Sequence, residues 1–490
     1  MRTVVVLFAT LAALQAGCTL GPDYQRPALP VPEQHRDVEP PAPGREAASL
    51  ADMQWFALFQ DERLQALVST ALANNYDVRI AAARVLEAAA QLGVTRSFLL
   101  PTVDGTAAVS RDRVSEERFL APPATASPEG NTFALGLALT WEVDIWGRIR
   151  RQTESARADL LAAEWVQRAV LVTVISQVAS AYFALRELDD ELEIARRTVA
   201  SRQQSLRLTQ LRLDQGAATR LEVRQAETLL YTAAATIPLV ERQMVQTENA
   251  IRLLLAQPPG DILRGRTLTE QPIPPEIPAG LPAALLERRP DIRASEEVLV
   301  SANAQIGAAK ALYFPRISIT GLLGIESAEL DRFIKSSALT WSIGANALQP
   351  IFNYGRVRSI NAATQASYLR LLAQYEQTIQ TAFREVSDAL IGYQKSREQR
   401  VQQELLVGAL QDRVGLANKR FFGGLDSYLQ VLDAERDLFD AELNLARLQR
   451  DERLNIVGLY RALGGGWESA TVTADVRAGS AALAKPAAGQ

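Results

Sequence analysis

Trp146-Gly147-Arg148-Ile149-Arg150 recurs as Tyr354-Gly355-Arg356-Val357-Arg358, 208 positions further along the chain. The same interval carries Gly216, Thr219, Leu221, Val223, Ala226 and Glu227 onto Gly424, Ser427, Leu429, Val431, Ala434 and Glu435. Upstream, Asp77, Arg79, Gly93 and Pro101 match Asp291, Arg293, Gly307 and Pro315 at an interval of 214. Solenoid repeats fall at roughly 20–50 residues. A period this long marks instead a duplicated half-molecule, two similar units set about a pseudosymmetry axis. Ring-like and pore-like assemblies repeat one unit around an axis in this way.

The composition removes most chemistry. A net charge of −4 gives no basic face for nucleic acid. The only histidine, His35, lies in a proline-rich stretch, and the only cysteine is Cys18. A Cys/His zinc site, a cysteine nucleophile or a histidine base in the body of the protein is therefore excluded. No glycine-rich phosphate loop precedes a helix. Catalysis by carboxylates alone stays open on paper, without a recognisable cleft-forming pair of acids.

The N-terminus reads as an export signal over residues 1–17. Arg2 is its positive start, Val4 to Leu14 its apolar core, and Ala16-Gly17 its small residues before cleavage. The apolar run is too short for a transmembrane helix. Cys18 directly after Ala-Gly resembles a bacterial lipobox, although Gln15 stands where leucine is usual. The alternative is a signal cleaved nearby with an incidental cysteine. A lone thiol in an oxidising compartment is a liability, so lipidation of Cys18 is expected. In bacterial lipoproteins an aspartate after the cysteine implies retention in the inner membrane, so with Thr19 this resemblance implies the outer membrane. Residues 18–50, with seven prolines from Pro22 to Pro43, read as an extended tether.

Alanine-rich helical spacing then runs from Asp61 to about Phe98 and again over 282–314, stopped by Pro101 and Pro315. After each proline the period changes to two. Phe133, Leu135, Leu137, Leu139 and Trp141 alternate with Thr132, Ala134, Gly136, Ala138 and Thr140. Ile317–Ile325 and Leu339–Ala345 alternate likewise, and Val103–Val109 does so more weakly. Each half offers one hairpin, 102–142 and 316–348. About ten alternating residues is the length of a tilted membrane strand. A soluble one-faced sheet is the alternative, but no amphipathic layer remains to cover it. Open strand edges are not tolerated in lipid, so other copies of the chain must close the sheet.

Long helices follow, over 148–214 and 355–421. Without a proline, the first spans roughly 100 Å, and Leu185, Leu188, Leu192, Ala195 and Val199 give it a 3-4-3-4 stripe. Gly216 permits a reversal, and Thr219 with Glu222 predicts a capping box at the start of a return helix over 219–256. Gly424, Ser427 and Gln430 predict the same for 427–463. The return helices carry matching stripes: Val223, Ala226, Leu230, Ala233, Ile237, Val240, and Val431, Ala434, Leu438, Ala441, Leu445, Leu448. A sustained 3.5 period predicts an antiparallel coiled coil of each long helix with its return. Pro238 is expected to kink the first return helix. The halves are thus 51–260 and 261–467, with a tail of unknown use over 468–490.

This order of elements resembles the TolC-like outer membrane factor family, in its lipidated OprM/NodT-type branch. The resemblance runs from Cys18 to about Trp467. It is carried by Cys18-Thr19-Leu20-Gly21-Pro22-Asp23-Tyr24, Glu287-Arg288-Arg289-Pro290-Asp291-Ile292, Ala417-Asn418-Lys419-Arg420-Phe421, Gly424 to Arg436, and Leu459-Tyr460-Arg461-Ala462-Leu463-Gly464-Gly465-Gly466-Trp467. It implies a mainly α protein with a membrane β-barrel: a homotrimer with twelve strands in outer-membrane lipid and a twelve-helix α-barrel extending into the periplasm. Such trimers are exit ducts of tripartite efflux pumps or of type I protein secretion, working with a periplasmic adaptor and an inner-membrane transporter. No cofactor is implied, and the duct does no chemistry.

The resemblance also places a periplasmic gate at Leu429, Asp433 and Arg436. On the residues alone, Asp433 and Arg436 are a weak i,i+3 pair on a helix face. In a gate, three copies of the carboxylate repel unless paired, and the arginine can tie each to a neighbouring helix. The turns at Gly216, Thr219, Gly424 and Ser427 are likewise implied to meet the adaptor. A periplasmic scaffold or adaptor without a pore is the alternative from another class. An adaptor would carry one helical hairpin and lipoyl-like domains, whereas this chain has two hairpins and four alternating strands.

Overall fold

A computed structural model describes residues 19–32, 55–115, 117, 127–271 and 282–465. The export signal, Cys18 and the tail 468–490 lie outside the described residues. In chain order the elements are α1 (Trp55–Leu58), α2 (Glu62–Asn74), α3 (Tyr76–Ser97), β1 (Thr102–Arg113), β2 (Glu129–Val143), α4 (Arg148–Asp214) and α5 (Arg220–Leu254). A 3-10 turn at Pro282–Ala284 leads into α6 (Leu285–Arg288), α7 (Pro290–Ala311), β3 (Arg316–Ser327), β4 (Leu339–Leu348), α8 (Arg356–Phe422) and α9 (Tyr428–Ala462).

The chain forms two compact units, and they are not the two halves of the repeat. One comprises residues 1–28, 86–162 and 295–375, the other 29–85, 163–294 and 376–490. Each unit takes matching segments from both repeats, because helices of 67 residues contribute to both units.

In the first unit β1-β2-β3-β4 form one antiparallel sheet in that order. Cross-strand partners share a face, so registers such as Gly105↔Leu137, Leu137↔Leu323 and Leu323↔Trp341 join the four alternations into one apolar face. That face is uncovered: Leu137, Trp341 and Ile343 are 53%, 69% and 76% exposed. Among the described residues β1 pairs only with β2 and β4 only with β3, which leaves two bare edges. The expected tether is docked over its first residues. Arg151, buried at the start of α4, donates to the Leu20 and Gly21 carbonyls and to Asp23. Arg26 grips Glu296 with two bonds of 2.6 and 2.9 Å. Gly21 lies so close to Gly307 of α7 that a Cβ on Gly21 would sit 2.4 Å from the Gly307 Cα. Those contacts explain the Thr19–Tyr24 string.

The core of the second unit joins Leu64, Val68 and Ala71 of α2 to Val174, Ile175, Val178 and Tyr182 of α4 and to Ile456, Leu459 and Tyr460 of α9. Both expected upstream helices break here. At Asn75 the backbone turns extended (ψ 138°) and the side chain caps α3 through Asp77 and Val78. At Arg289, 214 residues on, Pro290 has no N–H to continue a helix, so 282–314 divides instead of running through. The repeat is functional at this point: Asn75 Nδ2 donates to the Leu254 carbonyl, and Arg289 donates to the Ala462 carbonyl. Each thereby caps the end of a return helix. Pro238 does not end α5, which runs through it. One 18-residue window of α4 is apolar enough for a membrane span, with a mean hydropathy of 1.5, but 56% of that window is buried inside the protein. It reads as a packing helix.

Candidate functional site

The coiled-coil seam of the second unit carries the sequence-predicted gate and tips. Its packing mixes the two repeats. Ala195 of α4 and Ala233 of α5 cluster with Phe439 and Leu443 of α9, while Ala226 of α5 joins Ala417 of α8 and Tyr428, Val431 and Ala434 of α9. The expected pairs of one long helix with its own return are therefore part of a shared four-helix seam. Alanines allow this close approach.

The two turns are built differently. Gly216 and Gly424 both take left-handed φ, 75° and 72°, where a side chain would be strained. At the first turn the capping box is complete: Thr219 N donates to Glu222 Oε2 at 2.6 Å, and Glu222 N donates to Thr219 Oγ1 at 3.3 Å. At the second, the expected Ser427 side-chain cap is absent. The Gln430 amide donates to the Ser427 carbonyl instead, and neutral Gln430 lacks the carboxylate with which Glu222 grips the cap backbone. An Arg420–Asp426 ion pair closes this turn and holds the Asp426 carboxyl below its usual range. Leu221 and Leu425 stand exposed at the two tips.

Leu429 is half-exposed on the first turn of α9. Arg436 contacts Asp433 at 3.3 Å and Asp437 at 3.0 Å, all on α9. Asp437 also receives Arg413 of α8 at 2.9 Å. Within one chain, then, the inter-helix tie beside these residues is Arg413–Asp437, and Arg436 supports it from the α9 side. The first repeat has Gln225 and Thr228 where the second has Asp433 and Arg436. The charges belong to one return helix only.

Arg202 is the residue that the sequence reading missed. It is buried, donates to the Leu229 carbonyl of α5 and the Glu435 carbonyl of α9, and lies over the Phe439 ring at 4.9 Å. It fastens both return helices to α4. The signal was present: the 3-4 stripe through Val199 continues at Arg202, Leu206, Thr209 and Leu213, which puts the arginine in the seam.

Further along the same helices the seam buries carboxylates. Glu187 and Glu191 of α4 receive Arg450 and Arg447 of α9 at 3.3 and 2.7 Å. Burial pushes Glu187 up to about 7, and repulsion from Glu191 adds to it against the two arginines. Burial likewise pushes Asp190 up to about 6, with Arg186 and Arg453 opposing and Asp189 and Glu193 adding. Carboxyls raised on folding give stability that is full below their ordinary range and is lost as pH rises through the folded values. The melting temperature of the detergent-solubilised protein is therefore expected to fall between about pH 4 and 7. Glu187→Gln with Asp190→Asn should flatten that slope, removing on the order of 1–3 kcal/mol of the stability loss across this window. An unchanged slope in the double variant would place its origin elsewhere.

A sheet with an uncovered apolar face and two bare edges, in one chain with two long helices and their returns, defines a class: an outer-membrane channel subunit. The family described as Outer membrane efflux protein matches residues 67–257 and again 281–465, and the chain belongs to that family. It is 38% identical over 464 residues to the solvent efflux pump outer membrane protein SrpC of Pseudomonas putida, covering 94% of this chain and 97% of that one. Its identity to the Escherichia coli cation efflux system protein CusC is 34% over 459 residues, 94% and 98% of the two chains. The Neisseria gonorrhoeae MtrE outer membrane channel, solved in its open state, superposes with a TM-score of 0.82 at 30% identity over 92% of this chain and 99% of that one. The chain is an outer-membrane efflux channel.

Proposed function

We propose that three copies of the chain form the passive exit duct of a tripartite efflux pump, with a periplasmic adaptor and an inner-membrane transporter as partners. The observation that carries this is the sheet: four strands with an apolar face and two bare edges cannot close alone in lipid. Three copies supply twelve strands, and their coiled coils supply a twelve-helix wall. The duct performs no chemistry. It is closed by Leu429, Asp433 and Arg436, and the tips around Gly216, Thr219, Gly424 and Ser427 receive the adaptor. Relatives named for solvents and for cations support a duct that leaves cargo choice to the transporter.

Mass determination in detergent should give three chains per particle, and a stable single chain would overturn the reading. We also propose that Cys18 carries lipid. Mass spectrometry of the mature N-terminus should find a diacylglyceryl cysteine with an acylated amine. A mature chain starting at another, unmodified residue would exclude it. Cys18→Ser should weaken anchoring yet leave trimers intact, since the barrel itself is held in lipid.

A further inference from the structure

The two intervals of the repeat act as a ruler. Applied to the first hairpin, they carry the pair Thr102↔Thr140 onto Arg316↔Leu348, which is the pairing observed in the second hairpin. The pairing of β2 with β3 has no such counterpart within the chain. Moving β2 forward by 208 and β3 back by 214 lands on β4 and β1, the two bare edges.

The turns beside these strands show the same imbalance. In the first half Trp146 stacks on Phe314 with ring centroids 4.7 Å apart, and its Nε1–H donates to the Pro315 carbonyl at 2.9 Å. The counterpart of Trp146 is Tyr354, which is 93% exposed, with Ile351 and Phe352 at 90% and 86% beside it. Gly147 and Gly355 share a left-handed φ, and Tyr354, unlike Trp146, is itself left-handed at φ 50°. The counterparts of Phe314 and Pro315 are Leu100 and Pro101. Two backbone bonds repeat there: Leu99 N to Arg96 O answers Tyr313 N to Lys310 O, and Leu100 N to Ser97 O answers Phe314 N to Ala311 O. Leu100 and Phe98 are 68% and 55% exposed. The shelf and the aromatic ring equivalent to its occupant are thus both present and both exposed.

We infer that β4 of one copy pairs antiparallel with β1 of the next copy in a defined register, Asn346 opposite Ala108, with Tyr354 seated on the Leu100–Pro101 shelf of that copy. The register is Ala138↔Leu322 moved by the two intervals. It sets Ala345 opposite Val109 and Ala347 opposite Ala107 on the apolar face, with Arg111 and Arg113 following opposite Ile343 and Trp341. β4 ends at Leu348 where β2 runs to a position equivalent to Ile351, as expected of a strand whose last partners lie on another chain. The inference rests on the trimeric reading above and specifies its seam.

The test is oxidative cross-linking of the full-length protein carrying Ala108→Cys with Asn346→Cys, both on the face opposite the apolar one. Directly opposed residues have Cα atoms roughly 4.5–5.5 Å apart, within disulfide reach. The shifted pairs Thr106→Cys with Asn346→Cys and Ser110→Cys with Asn346→Cys are diagonal, roughly 7–8 Å apart, and fall outside it. Single variants, which retain Cys18, control for cross-links through that residue. The expected result is a three-chain covalent band, several-fold stronger than from either shifted pair and lost on reduction. A stronger band from a shifted pair overturns the register. No band from any pair in a particle of three-chain mass overturns the seam while the trimer stands. A particle of one-chain mass removes the trimeric reading and the seam with it.

Discussion

Asp433→Ala with Arg436→Ala is expected to open the periplasmic constriction and leave the trimer folded. In one chain the pair is an exposed contact on a single helix, so its loss should shift the melting temperature little. Arg413–Asp437 stays in place and keeps α8 against α9. What changes is the axis of the duct. In the proposed gate, three carboxylates and three guanidiniums around a narrow opening would hold the second-repeat return helices together through charge-assisted contacts, while Gln225 and Thr228 of the first repeat add no charge. Without the charged groups the return helices can splay by uncoiling. In planar bilayers the double variant should conduct several times more than the parent, and cells carrying it should become sensitive to antibiotics of vancomycin size. Unchanged conductance at equal trimer yield would reduce the two residues to an ordinary surface pair.

The second large effect is expected at Arg289. Its guanidinium is buried and holds four acceptors: both oxygens of Asp291 at 3.0 and 2.6 Å, Glu385 at 2.7 Å and the Ala462 carbonyl at 2.9 Å. Arg289→Ala leaves the Ala462 carbonyl without this donor and Glu385 without this partner. Asp291 and Glu385 are partly exposed and water can take over their charge, so the loss of the buried hydrogen bonds costs about 1–3 kcal/mol. The variant should show sharply reduced yield of folded protein and an earlier denaturation midpoint. Arg289→Asn should recover part of the loss, because Asn75 already makes the equivalent bond to Leu254 in the first repeat. Equal stability of both variants and the parent would show that the network contributes nothing.

The strings that carry the family resemblance are separate in the sequence and meet other elements in these contacts. Arg289 and Ala462 lie 173 residues apart, yet one closes the helix that ends at the other. Thr19 to Tyr24, which reads as the start of a tether, is instead pinned by Arg151 of α4 and by close packing on Gly307. Neither pairing leaves a local trace, because a buried arginine finds its carbonyl through the packing of distant elements. Arg202 is the intermediate case: the continued stripe marks it as a seam residue, but its two carbonyl partners come from both return helices.

By itself the sequence determined the duplication, the alternation of the four strands, the extent of the long helices and the Thr219–Glu222 capping box. Each is a property of near neighbours, written as a period of two, a period of 3.5 or a spacing of three. Only the tertiary structure decided that the compact units cut across the two repeats, that Ser427 leaves its helix uncapped while Arg420–Asp426 closes the turn, and that Asn75 and Arg289 cap the ends of the return helices. Those outcomes depend on which side chain reaches a given backbone group first once the helices are packed, and a periodic pattern carries no information about that competition.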